Sequence, residues 1–252
     1  VAIFDTAFHQ TMPKEAYQYA ISRTYLEEHK IRAYGFHGTS HKYVSEKAIE
    51  YLGKKSKNII TIHLGNGCSM SAIKDGKSIE NSLGLGPMNG LVMGTRCGDI
   101  DQSVLFFLMK KLNKSVDEVN DLLQKESGMK GLTGFSDLRE IGEAANKGDE
   151  KCKNALELAA YRIKKYIGSY ATILNGLDAI VFTAGIGENS SLMREMACQN
   201  LDFLGIKLDS EKNEIRSGKI REIQSKTSKV KVLVIPTNEE IEIAKQAYQL
   251  IK

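Results

Sequence analysis

The chain has 252 residues, 42% of them apolar and 26% charged, and a net charge of +4. This is the balance of an ordinary globular chain of one large domain or two small ones. It holds no apolar run near the roughly 20 residues of a membrane-spanning helix. The lysines are spread along the chain, and the short cluster Lys54, Lys55 and Lys57 reads as a solvated turn, not as a nucleic-acid patch. Cys68, Cys97, Cys152 and Cys198 form no C-x-x-C pair and read as reduced thiols of a cytoplasmic protein.

In chain order, V-A-I-F-D-T-A-F opens without an initiator Met and already in a strand pattern. Val1–Phe4 reads as the end of a strand whose neighbours are missing, so a segment N-terminal to Val1 is expected. Asp5 would stand at that strand's carboxyl end, where α/β folds gather ligands; a metal ligand, a base and a turn-forming Asp all remain open. Pro13 predicts a helix from Lys14 to about His29. The stretch I-R-A-Y-G-F-H-G-T-S-H predicts a short strand, a glycine turn and a helix over 40–52. His37 and His41 are four apart, but no third His or Cys ligand stands near them, which argues against zinc. His37 then either donates to a phosphate or caps the turn.

Asn58 to Leu64 is an apolar β-branched strand ending at His63-Leu64, followed by Gly65-Asn66-Gly67 and an alternating strand, Cys68 to Lys74. A G-N-G turn between two strands is a hairpin signal, and its bare backbone N–H groups have the form of an anion-binding nest. An ordinary hairpin and a phosphate nest are both open on this stretch alone. Leu83 to Asp101 carries Gly at 84, 86, 90, 94 and 98 but matches neither the dinucleotide fingerprint nor a P-loop. Arg96, alone between Arg32 and Arg139, would aim a cation at bound charge.

A helix is predicted from Asp101 to Leu112, and Ser115 to Glu118 is a capping box. Lys125 to Phe135 reads as loop, with Ser136 or Asp137 capping the next helix. Lys151 to Leu174 is a long amphipathic helix with Ala155, Leu158, Ala159, Ile163, Tyr166 and Ile167 on its core face. Asp178 to Thr183 is a buried strand, and A-G-I-G-E-N-S leads into a helix over 191–200, a second anion-site signal. Ser210 to Lys229 reads as an exposed excursion, Lys231 to Ile235 as the last strand, and Pro236-Thr237-Asn238 as the cap of a closing helix that begins Glu239-Glu240.

These alternating strands and helices fit a ribonuclease-H-like α/β core. The strings F-D-T-A-F-H, Y-G-F-H-G-T-S-H, H-L-G-N-G-C-S, M-G-T-R-C-G-D-I-D, F-T-A-G-I-G-E-N-S and P-T-N-E-E, in this order over nearly the whole chain, resemble the acetate kinase (acetokinase) family. The resemblance implies the fold of the acetate and sugar kinase, heat-shock chaperone and actin superfamily. It implies ATP + acetate ⇌ ADP + acetyl phosphate with Mg²⁺, or Mn²⁺ in its place, in a cytoplasmic homodimer that binds neither nucleic acid nor membrane. By motif, Asp5 resembles the carboxylate assigned as acid/base, and His37 and Arg96 the transition-state stabilisers. His63, Leu64, Gly65, Asn66 and Gly67 resemble the phosphate hairpin. Asp137, Leu138 and Arg139 resemble the adenosine-contacting stretch, and Gly185, Ile186, Gly187, Glu188 and Asn189 the second nucleotide loop. Glu239 resembles the magnesium ligand, and Phe36 and Pro87 the acetate-methyl pocket.

The resemblance makes residues 1–252 the C-terminal nucleotide-binding kinase domain, with 1–8 and 239–252 joining an N-terminal domain absent from this chain. Gly86-Pro87-Met88-Asn89-Gly90 stands where the family usually has a T-P-L-E/D-G run, which bears on acyl-chain preference. A propionate or other short-chain acyl kinase, and a catalytically incomplete nucleotide-binding fragment, are the alternatives.

Overall fold

A six-stranded mixed sheet in the order β3-β2-β1-β4-β6-β5 organises the molecule. The structure, a computed structural model, describes residues 1–53 and 57–251; the Lys54-Lys55 part of the lysine cluster lies outside them. The strands are β1 (Asn58–Leu64), β2 (Cys68–Lys74), β3 (Lys77–Asn81), β4 (Ala179–Thr183), β5 (Arg221–Glu222) and β6 (Lys231–Val234). β1 pairs antiparallel with β2 and parallel with β4, and β4 runs parallel to β6, so Ile62 lies beside both Met70 and Phe182. The antiparallel β3-β2-β1 meander continued by parallel β4 and β6 is the ribonuclease-H-like arrangement.

β1 sits at the centre because Ile59, Ile60, Thr61 and Ile62 are β-branched, and its side chains are buried on both faces. One face packs Ile60, Ile62, Met70, Phe182 and Val234 under a large cluster. The other packs Ile59, Ile73, Val181 and Leu233 against Val44 and Ala48. The helices are α1 (Lys14–Tyr17), α2 (Arg23–Glu27), α3 (Gly38–Leu52), α4 (Gln102–Lys111), α5 (Val116–Lys125), α6 (Gly128–Thr133), α7 (Leu138–Asn146), α8 (Glu150–Leu174), α9 (Ala184–Asn189), α10 (Ser191–Cys198), α11 (Ser210–Glu214) and α12 (Glu239–Ile251). Ile163, Ile167 and Tyr170 bring α8 onto the larger cluster, α3 covers the opposite face, and α12 lies on α3.

The capping box at Ser115 and Glu118 forms as predicted, and Asp101, Asp137 and Asp149 cap α4, α7 and α8. Several expectations are corrected. Val1–Phe4 forms no strand: Val1 and Phe4 are 75% and 70% exposed, and the segment pairs with no strand among the described residues. Residues 31–36 also stay irregular. The predicted helix from Lys14 breaks after Tyr17 and resumes as α2 at Arg23: the Tyr17 carbonyl oxygen accepts from Ala33 N–H at 2.8 Å, and the Tyr19 hydroxyl from Leu85 N–H at 2.8 Å, so tertiary partners hold the stretch in place of a continuous helix.

The loop expected over 125–135 contains α6, whose glycines serve close approach. A Cβ on Gly128 would lie 2.2 Å from the Met93 carbonyl oxygen, and one on Gly131 2.5 Å from that of Glu126. Leu158 is 42% exposed, off the core face of α8. The 210–229 excursion contributes α11 and the edge strand β5, paired antiparallel to β6.

Candidate functional site

The carboxyl ends of β1 and β4 and the N-terminus of α3 meet at one place. His37 is the N-cap residue of α3 and sits in the left-handed region at φ 54, a costly conformation for a non-glycine residue. The geometry aims its backbone N–H at Asp5 Oδ2, 2.5 Å away, while Gly38 N–H donates to the Asp5 carbonyl oxygen at 2.9 Å and Thr39 N–H to Oδ1 at 3.4 Å. Asp5 therefore lies on the positive end of α3 through charge-assisted bonds. Gly38 must be glycine, because a Cβ would be 2.2 Å from the Asp5 carbonyl oxygen.

Glu239, half-buried at the start of α12, has its carboxyl pushed up from the ordinary value, first by burial and then by the Asp5 charge. Two carboxylates thus share one field. Among the described residues no three His, Cys, Asp or Glu gather as a metal cage. A pair of carboxylates completed by substrate oxygens and water suits Mg²⁺, which dehydrates reluctantly.

The Gly65–Gly67 turn comes off β1 directly beside these groups. Gly65 N–H donates to the Gly67 carbonyl oxygen at 3.0 Å, which leaves the Asn66 and Gly67 amides as those open to an anion. Gly94 N–H donates to the Asn66 carbonyl oxygen at 3.1 Å, and a Cβ on Gly94 would lie 2.2 Å from Asn66 Oδ1. The glycine-dense loop is therefore latched onto the hairpin. A Cβ on Gly67 would lie 3.2 Å from His37 Nε2 and 3.6 Å from Arg96 Nη1, so both side chains converge on this glycine. Arg96 Nη1 also donates to the Pro87 carbonyl oxygen at 3.1 Å, which ties Pro87 to the same corner. Phe36 packs against the larger core cluster.

The histidine rings belong to buried hydrogen-bond chains. The His37 and His63 rings stack with centroids 4.4 Å apart, and His63 Nδ1 pairs with Ser40 Oγ at 2.8 Å. Burial pushes the His63 ring down to about 3, and His37 is lowered mainly by burial, against the pull of Asp5. Both shifts favour the neutral ring at neutral pH.

On the other side of the hairpin opens a cavity of about 910 Å³. Leu64, Gly65 and Asn66 form one wall and Asp137, Leu138 and Arg139 another; Gly185, Ile186 and Asn189 close it. His63, Gly67, Gly187 and Glu188 do not line it. Gly187 and Glu188 instead offer their carbonyl oxygens to the buried Arg194, at 2.9 and 3.1 Å, and Glu188 Oε1 accepts from Thr237 N–H. The A-G-I-G-E-N stretch is thus a short helix, α9, entered through Ala184 at φ 64. Sequence reasoning missed Gly142, Glu143, Asn146 and Arg216, which also line the cavity. The spacing 139, 142, 143, 146 is one helix face, and that was the available signal.

The acetokinase family pattern matches residues 1–245. The chain is 65% identical to an acetate kinase of Flavobacterium johnsoniae and 55% identical to one of Oleidesulfovibrio alaskensis, in each case over all of its length. A crystal structure of Porphyromonas gingivalis acetate kinase superposes with a TM-score of 0.95 at 47% identity, covering 99% of this chain and 63% of that one. A propionate kinase structure from Francisella tularensis superposes at 0.93, also at 47% identity, covering 97% and 63%. The chain spans about 64% of the length of the Flavobacterium relative and 63% of the Oleidesulfovibrio one. The chain belongs to the acetokinase family.

Proposed function

We propose that this chain carries the nucleotide site and the phosphoryl-transfer centre of an acetate kinase, making acetyl phosphate and ADP reversibly from acetate and ATP. The observation that carries the reading is the convergence of His37 Nε2 and Arg96 Nη1 on Gly67, at one side of a hairpin whose Gly65 and Asn66 line a cavity sized for a nucleotide. In the forward direction an acetate oxygen forms a bond to the γ-phosphorus as the bond to the β–γ bridging oxygen breaks, leaving ADP. Such a transfer needs positioning and charge neutralisation more than covalent chemistry. Arg96 and the His37 N–H would meet the equatorial oxygens, and the Asn66 and Gly67 amides the donor phosphates.

Acetate needs no base, because a carboxylate of pKa roughly 4 is already ionised at neutral pH. Asp5, tied to the α3 N-terminus, therefore works with Glu239 to hold Mg²⁺, which supplies charge neutralisation across the phosphates when bound. The ribose and base would lie along Asp137–Arg139 and Ile186. Phe36 and Pro87 would meet the acyl methyl.

The test is acetyl phosphate trapped as hydroxamate from ATP, Mg²⁺ and acetate, with ADP binding followed by calorimetry. Hydroxamate that disappears in Arg96→Ala supports the reading. Nucleotide binding without product assigns the chain as a binding fragment, and no nucleotide binding overturns the proposal. The Gly86–Gly90 departure favours one second reading, a propionate or longer acyl kinase, which a hydroxamate signal rising from acetate to propionate would establish. The exposed Ile241, Ile243 and Leu250 of α12 support the assignment of 239–252, with 1–8, as the surface that joins a further domain. Phe106 and Phe107 of α4, each 56% exposed, support a homodimer. No helix among the described residues is long and apolar enough to cross a membrane, and the four free thiols support a cytoplasmic setting.

A further inference from the structure

Behind His37 the structure holds a line of groups that nothing in the proposed chemistry uses directly. His37 Nδ1 is 2.8 Å from Ser69 Oγ, Ser69 Oγ is 2.7 Å from His41 Nε2, and His41 Nδ1 is 2.7 Å from Thr61 Oγ1. Ser69, His41 and Thr61 are all fully buried. We propose that Thr61, His41 and Ser69 are positioning residues: a one-way hydrogen-bond relay that keeps the His37 proton on Nε2, facing Gly67.

The direction follows from proton bookkeeping. A hydroxyl has one proton to give, and a neutral imidazole carries one N–H and one bare nitrogen. Among the described residues the Thr61 hydroxyl has, besides His41, only the Ser71 carbonyl oxygen, at 3.5 Å, too long for a good O–H···O bond. Its proton therefore goes to His41 Nδ1. His41 must then carry its own proton on Nε2 and donate to Ser69 Oγ. The Ser69 proton is left for His37 Nδ1, and the His37 proton can sit only on Nε2.

The reverse direction leaves the Thr61 hydroxyl proton buried without a close acceptor, the less favourable arrangement. His9, in the same cluster, offers a built-in reference. Its Nε2 is 3.0 Å from the Phe36 carbonyl oxygen, which can only accept, a closer partner than Asn81 Nδ2 at 3.3 Å, so its proton sits on Nε2 independently of the relay, with Ser78 Oγ at 2.8 Å on Nδ1.

The functional consequence rests on the kinase reading above. A neutral His37 already presents an N–H to a phosphoryl oxygen and needs no proton from solvent, so the donor is preorganised. Loss of the relay would lower kcat about 10- to 100-fold, by analogy with the orienting partners of metal-ligating histidines, while KM for ATP stays put.

The structural claim has its own test. In the chain labelled with [15N]histidine, long-range 1H–15N spectra at pH 8 should show His37 and His41 each with a pyrrole-type Nε2 and a pyridine-type Nδ1. A protonated Nδ1 on His37, or averaged nitrogen signals, overturns the relay. In Ser69→Ala the His37 signals should average while those of His9 stay fixed; an unchanged His37 tautomer overturns the relay. Should Ser69→Ala not fold, Thr61→Val serves, with averaging expected at His41 and an unchanged His41 counting against the proposal. A wild-type chain that makes no acetyl phosphate but shows these tautomers overturns the kinase reading and leaves the relay standing.

Discussion

Gly67 is where one missing side chain matters most. It lies between two polar groups that must both reach the same ligand, and a Cβ there would meet His37 Nε2 at 3.2 Å and Cε1 at 3.3 Å. The His37 ring has little room to yield: it is stacked on His63 and tied through Nδ1 to Ser69. Gly67→Ala should therefore fold, at an overpacking cost of about 1–3 kcal/mol, yet displace the donor pair by a few tenths of an ångström. A full ångström of misplacement can cost about 10²-fold, so a few tenths should slow phosphoryl transfer by up to about 10-fold. Gly168, inside α8 with open space around its Cα, is the control: Gly168→Ala should keep full activity and raise stability by about 0.4–1 kcal/mol. Hydroxamate assays beside urea titrations separate the effects, and Gly67→Ala activity within twofold of wild type would remove the hairpin from the phosphate site.

Among the elements, α12 is held to α3 by a contact that can be broken from one side. Lys42 Nζ lies 2.5 Å from Glu242 Oε1 and 2.8 Å from Glu46 Oε1. The Glu242 side chain is 1% exposed, whereas that of Glu46 is 55% exposed. Lys42→Met leaves a buried carboxylate without its cation and should cost about 3 kcal/mol. Glu46→Gln, at the surface, should cost less than about 0.5 kcal/mol. Amide exchange in α12 should rise before that in β1 when Lys42 is replaced, and equal losses in the two variants would sink the latch.

This pair also shows where sequence ran out. Lys42 and Glu242 are 200 positions apart, and no local pattern joins them. The β1–β2 hairpin was legible because G-N-G between β-branched runs has few alternatives, and the α8 stripe because its period is long. α6 and α9 read as turns because their glycines signal breaks locally. In the fold, Gly128 and Gly131 answer close backbone approach from Met93 and Glu126. His9, which closes the F-D-T-A-F-H string but carries no role in that resemblance, owes its place to Ser78 and Phe36, brought to it by β3 and the α3 entry.

For the whole molecule, the buried histidines set how stability depends on pH. Burial lowers His9 to about 4 and His63 to about 3 and drives His41 well below its usual value, while the unfolded rings titrate near 6.5. Below that value the unfolded chain takes up protons that the folded chain refuses, so stability falls as the solution is acidified. The loss begins near pH 6.5 and continues down towards pH 4 and 3. At 1.36 kcal/mol per pKa unit, His9 alone is worth on the order of 3 kcal/mol when the fall is complete, a sizeable part of the 5–15 kcal/mol that holds a typical domain together.

Glu80 works in the opposite sense. Burial raises its carboxyl to about 7, so the folded chain holds that proton where the unfolded chain has lost it. Its contribution is whole below about 4.5 and disappears as pH rises through 7. Several histidines oppose two raised carboxyls, Glu80 and Glu239, so the urea midpoint should drop between pH 8 and pH 5, a window above the range where ordinary carboxylates titrate. Glu80→Gln keeps an acceptor for the Asn81 N–H, now 3.1 Å from Glu80 Oε1, and removes that carboxyl's opposition. That variant should gain about 1–3 kcal/mol at pH 8 and little at pH 5, which steepens the acid loss. A midpoint that stays level or climbs from pH 8 to pH 5 would mean that these rings reach solvent, and a donor at His37 held neutral by its buried neighbours would then lose its physical basis.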